Sequence, residues 1–351
     1  MKRQEKPQKT WVEKYRPKTI DSIVQQNEIK SLLSNAFKTK TLTHMLLHGP
    51  PGTGKTTTAL TISRYFFHLT EDQYSKIKTT KPYEILNEKI MKERVLELNA
   101  SDDNKIKVVR DKIKSFAMSS VIDYEGIANF KIIILDEADA LTSDSQFALR
   151  RIIEKYTDST RFILICNYVT KIIPPLASRC MKLRFQTIST DSLDLIIKRI
   201  GSKENLKVPD NFVTRLNYIT KGDLRESINL LERVAFIDSN LSTLTLDEVS
   251  GQISEDFIKN LWLNLINPSI QVANIIAYAV KFKNSSYSSL NLLEGIFSNV
   301  IKSDLPDKSK AIIIIEISKI DYYLNENANE YIQLVKLFGL IKTTFNLTNN
   351  L

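Results

Sequence analysis

Eight consecutive residues, Gly49-Pro50-Pro51-Gly52-Thr53-Gly54-Lys55-Thr56, follow the pattern GxxxxGK[ST]. In such a loop the glycines free backbone N–H groups to wrap phosphate oxygens, and a helix starting at the lysine adds the positive end of its dipole. Lys55 is placed to reach the β- and γ-phosphates of a nucleoside triphosphate. The Thr56 hydroxyl is placed to ligate Mg2+, with Thr57 next to it in the phosphate-binding segment. Further on, Ile132-Ile133-Ile134-Leu135-Asp136-Glu137 ends an apolar run in two carboxylates. Asp136 can hold Mg2+ through water, and Glu137 can polarise the water that attacks the γ-phosphate. The two motifs together, in this order, predict a P-loop NTPase competent to hydrolyse its nucleotide with Mg2+.

Such residues need a sheet edge to stand on. Short apolar runs at Met45–His48, Val95–Leu98, Lys131–Leu135 and Arg161–Cys166 alternate with amphipathic stretches. That alternation reads as α/β, and unbroken apolar strands suit a parallel sheet covered on both faces. Lys182–Phe185 is a candidate edge strand. Asp136 then falls at the carboxyl end of its strand, where open α/β sheets bind ligands. After Phe185 the strand signals stop. Leu224, Ile228 and Leu231 keep helical spacing, and residues 253–351 are helical in pattern, with a break near Lys302–Pro306. Residues 68–92 are polar and lysine-rich and read as a surface insertion.

Composition narrows the class. The chain has 351 residues, which favours two or three domains over one core. No apolar run reaches the roughly 20 residues of a membrane span. The polar start of the sequence has no signal-peptide core, so an intracellular protein is expected, with no membrane partner. Cys166 and Cys180 have no CxxC or histidine spacing and are expected to be buried thiols. Three histidines leave little room for a histidine triad or metal centre. A net charge of +9 is compatible with a polyanionic partner.

Further motifs resemble those of AAA+ clamp loaders, in particular replication factor C small subunits, a resemblance that makes the nucleotide ATP. Trp11-Val12-Glu13-Lys14-Tyr15-Arg16-Pro17 is followed by Asp21-Ser22-Ile23-Val24-Gln25; the resemblance places Val12, Arg16 and Val24 on the adenine side of the site. Asn167 matches sensor 1, a neutral amide that orients the lytic water. Ser178-Arg179-Cys180 matches the arginine-finger motif, implying that Arg179 serves in trans the ATP of a neighbouring subunit. Gly222-Asp223-Leu224-Arg225 matches sensor 2, with Arg225 reaching the γ-phosphate of its own subunit. Arg150 and Arg151 match the family pattern and are expected near a subunit interface. The run from Leu164 to Ile173 with Leu176–Cys180 looks like the branch termed subunit 2 in yeast and subunit 4 in human. The resemblance is dense from Trp11 to about Arg233 and thin beyond.

The resemblance implies three parts: a P-loop AAA+ parallel-sheet core over 1–186, a helical lid over 187–250, and an all-α C-terminal collar over 251–351. It implies a heteropentamer with the large subunit and three other small subunits, acting on a sliding clamp and primer–template DNA, in the nucleus.

For DNA, Lys107, Arg110 and Lys114 form a stripe on one predicted helix beside an apolar stripe of Ile106, Val109, Ile113 and Phe116. By spacing alone a solvated charged face is the better description; the resemblance reverses that and assigns the stripe, with Lys171, to the DNA backbone. Asn104-Lys105 stands where the family carries Arg-Gly, so Lys105 is the candidate replacement for that arginine. Two other readings keep the fold: a subunit that binds nucleotide without turning it over, and a different AAA+ machine. Intact Glu137 weighs against the first, and the Trp11–Pro17 string against the second.

Overall fold

In the central strands unbroken apolar runs, Ile132–Leu135 and Phe162–Cys166 among them, are buried and must be covered from both sides. The computed structural model meets this with a five-stranded, wholly parallel sheet in the order β2-β3-β4-β1-β5. It describes residues 9–349 apart from 21, 24–26, 40, 69–81, 102–105, 121–126, 254, 268–270 and 285–286. The strands are β1 (Met45–His48), β2 (Val95–Asn99), β3 (Lys131–Asp136), β4 (Thr160–Cys166) and β5 (Met181–Arg184), each matching an expected run, with β5 at an edge.

Alternate residues feed the two faces. Leu47, Ile132, Ile134 and Ile163 join one core, with Leu33 of α2 (Asn27–Lys38) and Ile62 and Phe66 of α3 (Lys55–Phe67). Leu46, Ile133, Leu135 and Leu164 join the other, with Ile113 and with Leu149 and Ile153. These last come from α5 (Ile106–Met118) and α6 (Ser143–Tyr156).

Helix α4 (Tyr83–Arg94) corrects the surface reading of residues 68–92, because its Leu86 and Ile90 are buried in the first core. Two core positions in a lysine-rich stretch give too weak a stripe to read. Residues 69–81 of that stretch lie outside the described residues.

Two cations are buried in this part of the molecule. Arg94 donates to the carbonyls of Ala128 and Phe130. Lys131, 1% exposed, donates to Phe116 O at 2.6 Å and to the Ser119 carbonyl and hydroxyl. Its ammonium thereby satisfies orphan carbonyls at the C-terminus of α5, where the helix dipole favours a positive charge.

Beyond β5 the described chain is helical: α7 (Pro174–Ala177) precedes it, and α8 (Thr190–Lys203), α9 (Asp210–Thr220) and α10 (Leu224–Ile237) follow. Contacts divide the chain into two compact units, residues 1–235 and 236–351. In the second, the C-terminal helix (Glu330–Asn349) packs against the helices Glu255–Ile266, Val272–Lys283 and Asp307–Asn325. Leu261, Ile275, Ile313, Leu334 and Phe338 are among its buried core residues. The expected break near Lys302–Pro306 is the gap between helices Ser289–Lys302 and Asp307–Asn325.

Candidate functional site

The chain leaves β1 toward β2 on one side of the sheet, whereas the connection after β4 crosses β1 to reach β5. A crevice opens outside the strand ends where connections diverge in this way. The Gly49–Thr57 segment occupies it, running from β1 into α3.

Backbone geometry explains the glycines. Gly52 and Gly54 have φ of 67° and 90°, the left-handed region that side chains resist. Gly49 lies against the carbonyl of Phe185, which a Cβ would approach to 2.3 Å. A Cβ on Gly54 would meet nothing within 4 Å, so this loop is open at the N-terminus of α3. The Lys55 ammonium is folded over the loop, donating to Gly49 O at 2.8 Å and Pro50 O at 2.7 Å. Thr53 Oγ1 donates to Pro50 O as well, at 2.9 Å, tightening the turn. Burial pulls the Lys55 pKa below its ordinary value, opposed by the charges of Asp136, Asp139 and Asp223.

The two proposed Mg2+ ligands meet directly: Thr56 Oγ1 donates to Asp136 Oδ2 at 2.7 Å. A hydroxyl and a carboxylate converging beside an open helix N-terminus are hard oxygen donors of the kind Mg2+ takes together with phosphate oxygens. The residues present therefore fit ATP and Mg2+. Glu137 follows with φ 53° and ψ 39°, a left-handed conformation that costs a non-glycine residue about 1–2 kcal/mol. Its N–H is held by Asp136 Oδ1 at 2.9 Å. Strain kept at a candidate general base is what a fixed catalytic geometry requires.

The residue expected to serve as sensor 1 follows the neighbouring strand. Asn167 follows β4, which pairs with both β3 and β1, so its backbone joins the same row of strand ends. Asp139 Oδ2 accepts from the N–H groups of Asn167 at 3.2 Å and Tyr168 at 3.1 Å. Asp139 has no role in the sequence reading, because an acid three residues beyond a strand carries no signal of which backbone it will fix. Gln146, 2% exposed, was also missed. Its amide donates to the carbonyls of Leu141 and Lys171 and its oxygen accepts from Ile173 N.

The segment expected to be sensor 2 touches the Gly49–Thr57 loop. Leu224 N donates to Gly52 O at 3.3 Å, and a Cβ at Gly52 would lie 1.8 Å from Asp223 Oδ1. Asp223 Oδ1 also accepts from Glu226 N at 3.0 Å, capping α10. Arg225 is exposed in the first turn of that helix.

The N-terminal arm binds the helices after the sheet. Trp11 N donates to Glu232 at 3.1 Å, and Glu204 accepts from Lys14 at 2.5 Å and from the Tyr15 hydroxyl. The Lys14 and Tyr15 hydrogen bonds hold the Glu204 carboxyl below its ordinary range. Arg16 pairs with Glu13 at 3.3 Å and Val12 is half-buried, while Val24 lies outside the described residues. The arm thus has structural partners that its sequence did not reveal, in addition to the expected adenine side.

Arg179 stands apart from this cluster: it donates to Pro175 O at 3.0 Å and is ion-paired to Glu154, which also pairs with Arg150 at 3.1 Å. Of the expected DNA contacts, Lys114 is exposed on α5, and Lys171 is exposed with its ammonium 5.2 Å from the centre of the Tyr168 ring. Lys105 and the side chains of Lys107 and Arg110 lie outside the described residues. Cys166 and Cys180 are buried thiols, as expected, with burial pushing their pKa values up to about 12 and about 11.

Two family descriptions match the chain: "DNA polymerase III, delta subunit" over residues 25–189 and "Replication factor C C-terminal domain" over 255–339. Replication factor C subunit 2 of Oryza sativa is 38% identical, over 97% of this chain and 96% of its own length. The replication factor C small subunit of Methanococcus vannielii is 37% identical, over 95% of this chain and 98% of its own. Subunit 4 of Homo sapiens is 35% identical, over 94% and 87%. Among solved structures, a variant of RuvB from Thermotoga maritima aligns with a TM-score of 0.52 at 18% identity, over 83% of this chain and 99% of that one, a likeness of fold.

Proposed function

This chain belongs to the replication factor C small-subunit family, and we propose that it is an ATP-hydrolysing clamp-loader subunit. In this reading it joins the large subunit and three other small subunits in a nuclear heteropentamer. ATP binding favours an assembly that opens a ring-shaped sliding clamp and grips primer–template DNA; hydrolysis releases the closed clamp. Residues 1–186, 187–250 and 251–351 then serve as ATPase core, lid and collar.

The chain's own residues divide the work. Backbone N–H groups of the Gly49–Thr57 segment hold the phosphates, and Lys55 exchanges its two loop carbonyls for phosphate oxygens. Thr56 and Asp136 hold Mg2+, which supplies charge neutralisation at the β- and γ-oxygens. Glu137 takes the proton of the attacking water, Asn167 orients that water, and Arg225 senses the γ-phosphate from the lid. Arg179 acts on a neighbour's ATP, stabilising charge that develops on the transferring phosphoryl group. Lys105, Lys107, Arg110, Lys114 and Lys171 face the DNA backbone.

The observation that carries the reading is the Thr56–Asp136 pair at 2.7 Å, set between the open phosphate loop and strained Glu137. The test is ATP turnover by the chain co-assembled with its partner subunits, with and without clamp and primed DNA. Stimulation by both, abolished by Lys55→Ala without loss of assembly, is the expected result. Turnover indifferent to clamp and DNA, or a ring formed by this chain alone, would overturn it.

A further inference from the structure

The family resemblance says which arginine is the finger; it does not say what aims it. Arg179 follows the single-turn helix α7, and its long side chain has several rotatable bonds to fix before it can serve a phosphate. Two contacts fix it here. Nη1 donates to Pro175 O at 3.0 Å, and Nη2 is ion-paired with Glu154 Oε1. The same oxygen accepts from Arg150 Nε at 3.1 Å. One carboxylate on α6 therefore gathers two guanidiniums from different elements, one of them only four residues before it on its own helix. The three side chains are 35–39% exposed, so the cluster lies at the surface and not in a core.

Charge and donor counting give this arrangement a direction. Two arginines against one carboxylate leave the cluster with a surplus positive charge, so it remains attractive to an anion. Arg179 has engaged two of its five N–H donors, and the other three are available in the fixed planar fork that matches phosphate oxygens. An exposed ion pair of this sort contributes little to folding. Its effect on function is larger, because a side chain already held in one rotamer loses less freedom when it meets the transition state.

We propose that Glu154 is a positioning residue for the finger, holding Arg179, and Arg150 beside it, ready for the triphosphate of the neighbouring subunit. This rests on the reading of Arg179 as a finger acting in trans. Glu154 touches no nucleotide itself.

The experiment is single-turnover ATP hydrolysis by the full assembly, stimulated by clamp and primed DNA, with substitutions in this chain only. Glu154→Ala is expected to lower the rate at the served site about tenfold, equivalent to about 1.4 kcal/mol of barrier. Glu154→Gln, which keeps an acceptor oxygen without the charge, should fall between Glu154→Ala and the native residue. Assembly, and nucleotide affinity at this chain's own site, should not change. Glu154→Ala added to Arg179→Ala should cost nothing beyond Arg179→Ala alone. If Arg179→Ala slows hydrolysis while Glu154→Ala does not, or if the two losses multiply, the positioning role is wrong and the finger stands. If Arg179→Ala itself leaves hydrolysis unchanged, the finger reading has failed and the inference falls with it. A loss confined to assembly or to this chain's own nucleotide affinity would make Glu154 merely structural.

Discussion

The contact between Gly52 and Asp223 can be tested by a double-mutant cycle whose outcome follows from geometry. In Gly52→Ala the new Cβ would lie 1.8 Å from Asp223 Oδ1 and 2.2 Å from Cγ, so the aspartate side chain has to leave. That side chain caps α10 through Glu226 N, and losing such a cap costs about 1 kcal/mol. Alanine at φ 67° adds about 1–2 kcal/mol of left-handed strain. Gly52→Ala should thus destabilise the 1–235 unit by about 2–3 kcal/mol, and Asp223→Ala by about 1 kcal/mol. In the double variant the cap can be lost only once, so its stability should equal that of Gly52→Ala alone. The resulting coupling is about 1 kcal/mol, within the range for residues in contact. Each unit contains one tryptophan, so a Trp262→Phe background leaves Trp11 fluorescence to follow urea unfolding of the first unit. Strictly additive losses would refute the idea that the phosphate loop and the α10 cap compete for one space.

Three other outcomes are expected. His44 accepts the Phe162 N–H at Nδ1, and burial, then Arg161, lowers its pKa from 6.5 to about 4. Between those values the unfolded chain binds a proton that the folded chain refuses. Acidification through that window should therefore remove on the order of 3 kcal/mol of stability, a slope that flattens in His44→Gln. Lys131→Met strands the carbonyls of Phe116 and Ser119 and should cost about 1–3 kcal/mol by urea unfolding; a gain would mean that desolvation of the ammonium outweighs its bonds. Asp139→Ala frees the backbone of Asn167 and Tyr168 and should lower turnover in the assembly about tenfold while ATP affinity stays within about twofold; equal losses of both would refute a role confined to sensor 1.

The parts of the site legible in the sequence are those whose chemistry dictates residue type at close spacing. A loop that wraps phosphate must have glycines beside a lysine, and a strand that presents Mg2+ ligands must be apolar up to its acids. The sheet was legible for a related reason, since burial on both faces leaves unbroken runs such as Ile132–Leu135. Residues that act through another element left no such trace. Asp139, Gln146, Glu154 and Glu204 are ordinary polar side chains by type, and each acquires its role from a partner 25 or more residues away in sequence or on another helix. Helix α4 reads as surface because two buried apolar positions among lysines and glutamates look like a solvated face. Lys131 was read as the start of a strand, which it is, but nothing local announces that its ammonium ends a helix.

The cysteines supply a built-in clock for one of the two units. Both lie in the 1–235 unit, and the all-helical unit has none. Cys166 is 1% exposed at the end of a central strand, whereas Cys180 lies beside Arg179 and just before an edge strand. With thiol pKa values raised to about 12 and about 11, neither reacts as a thiolate at neutral pH until its surroundings open. The rate at which each is alkylated in native buffer thus measures how often that part of the sheet comes apart. Cys166 reports on the strands that carry the triphosphate site, and Cys180 on the edge that carries Arg179. If nucleotide knits the strand ends together, Cys166 labelling should slow far more than Cys180 labelling, and a neighbouring subunit seated on Arg179 should reverse that order.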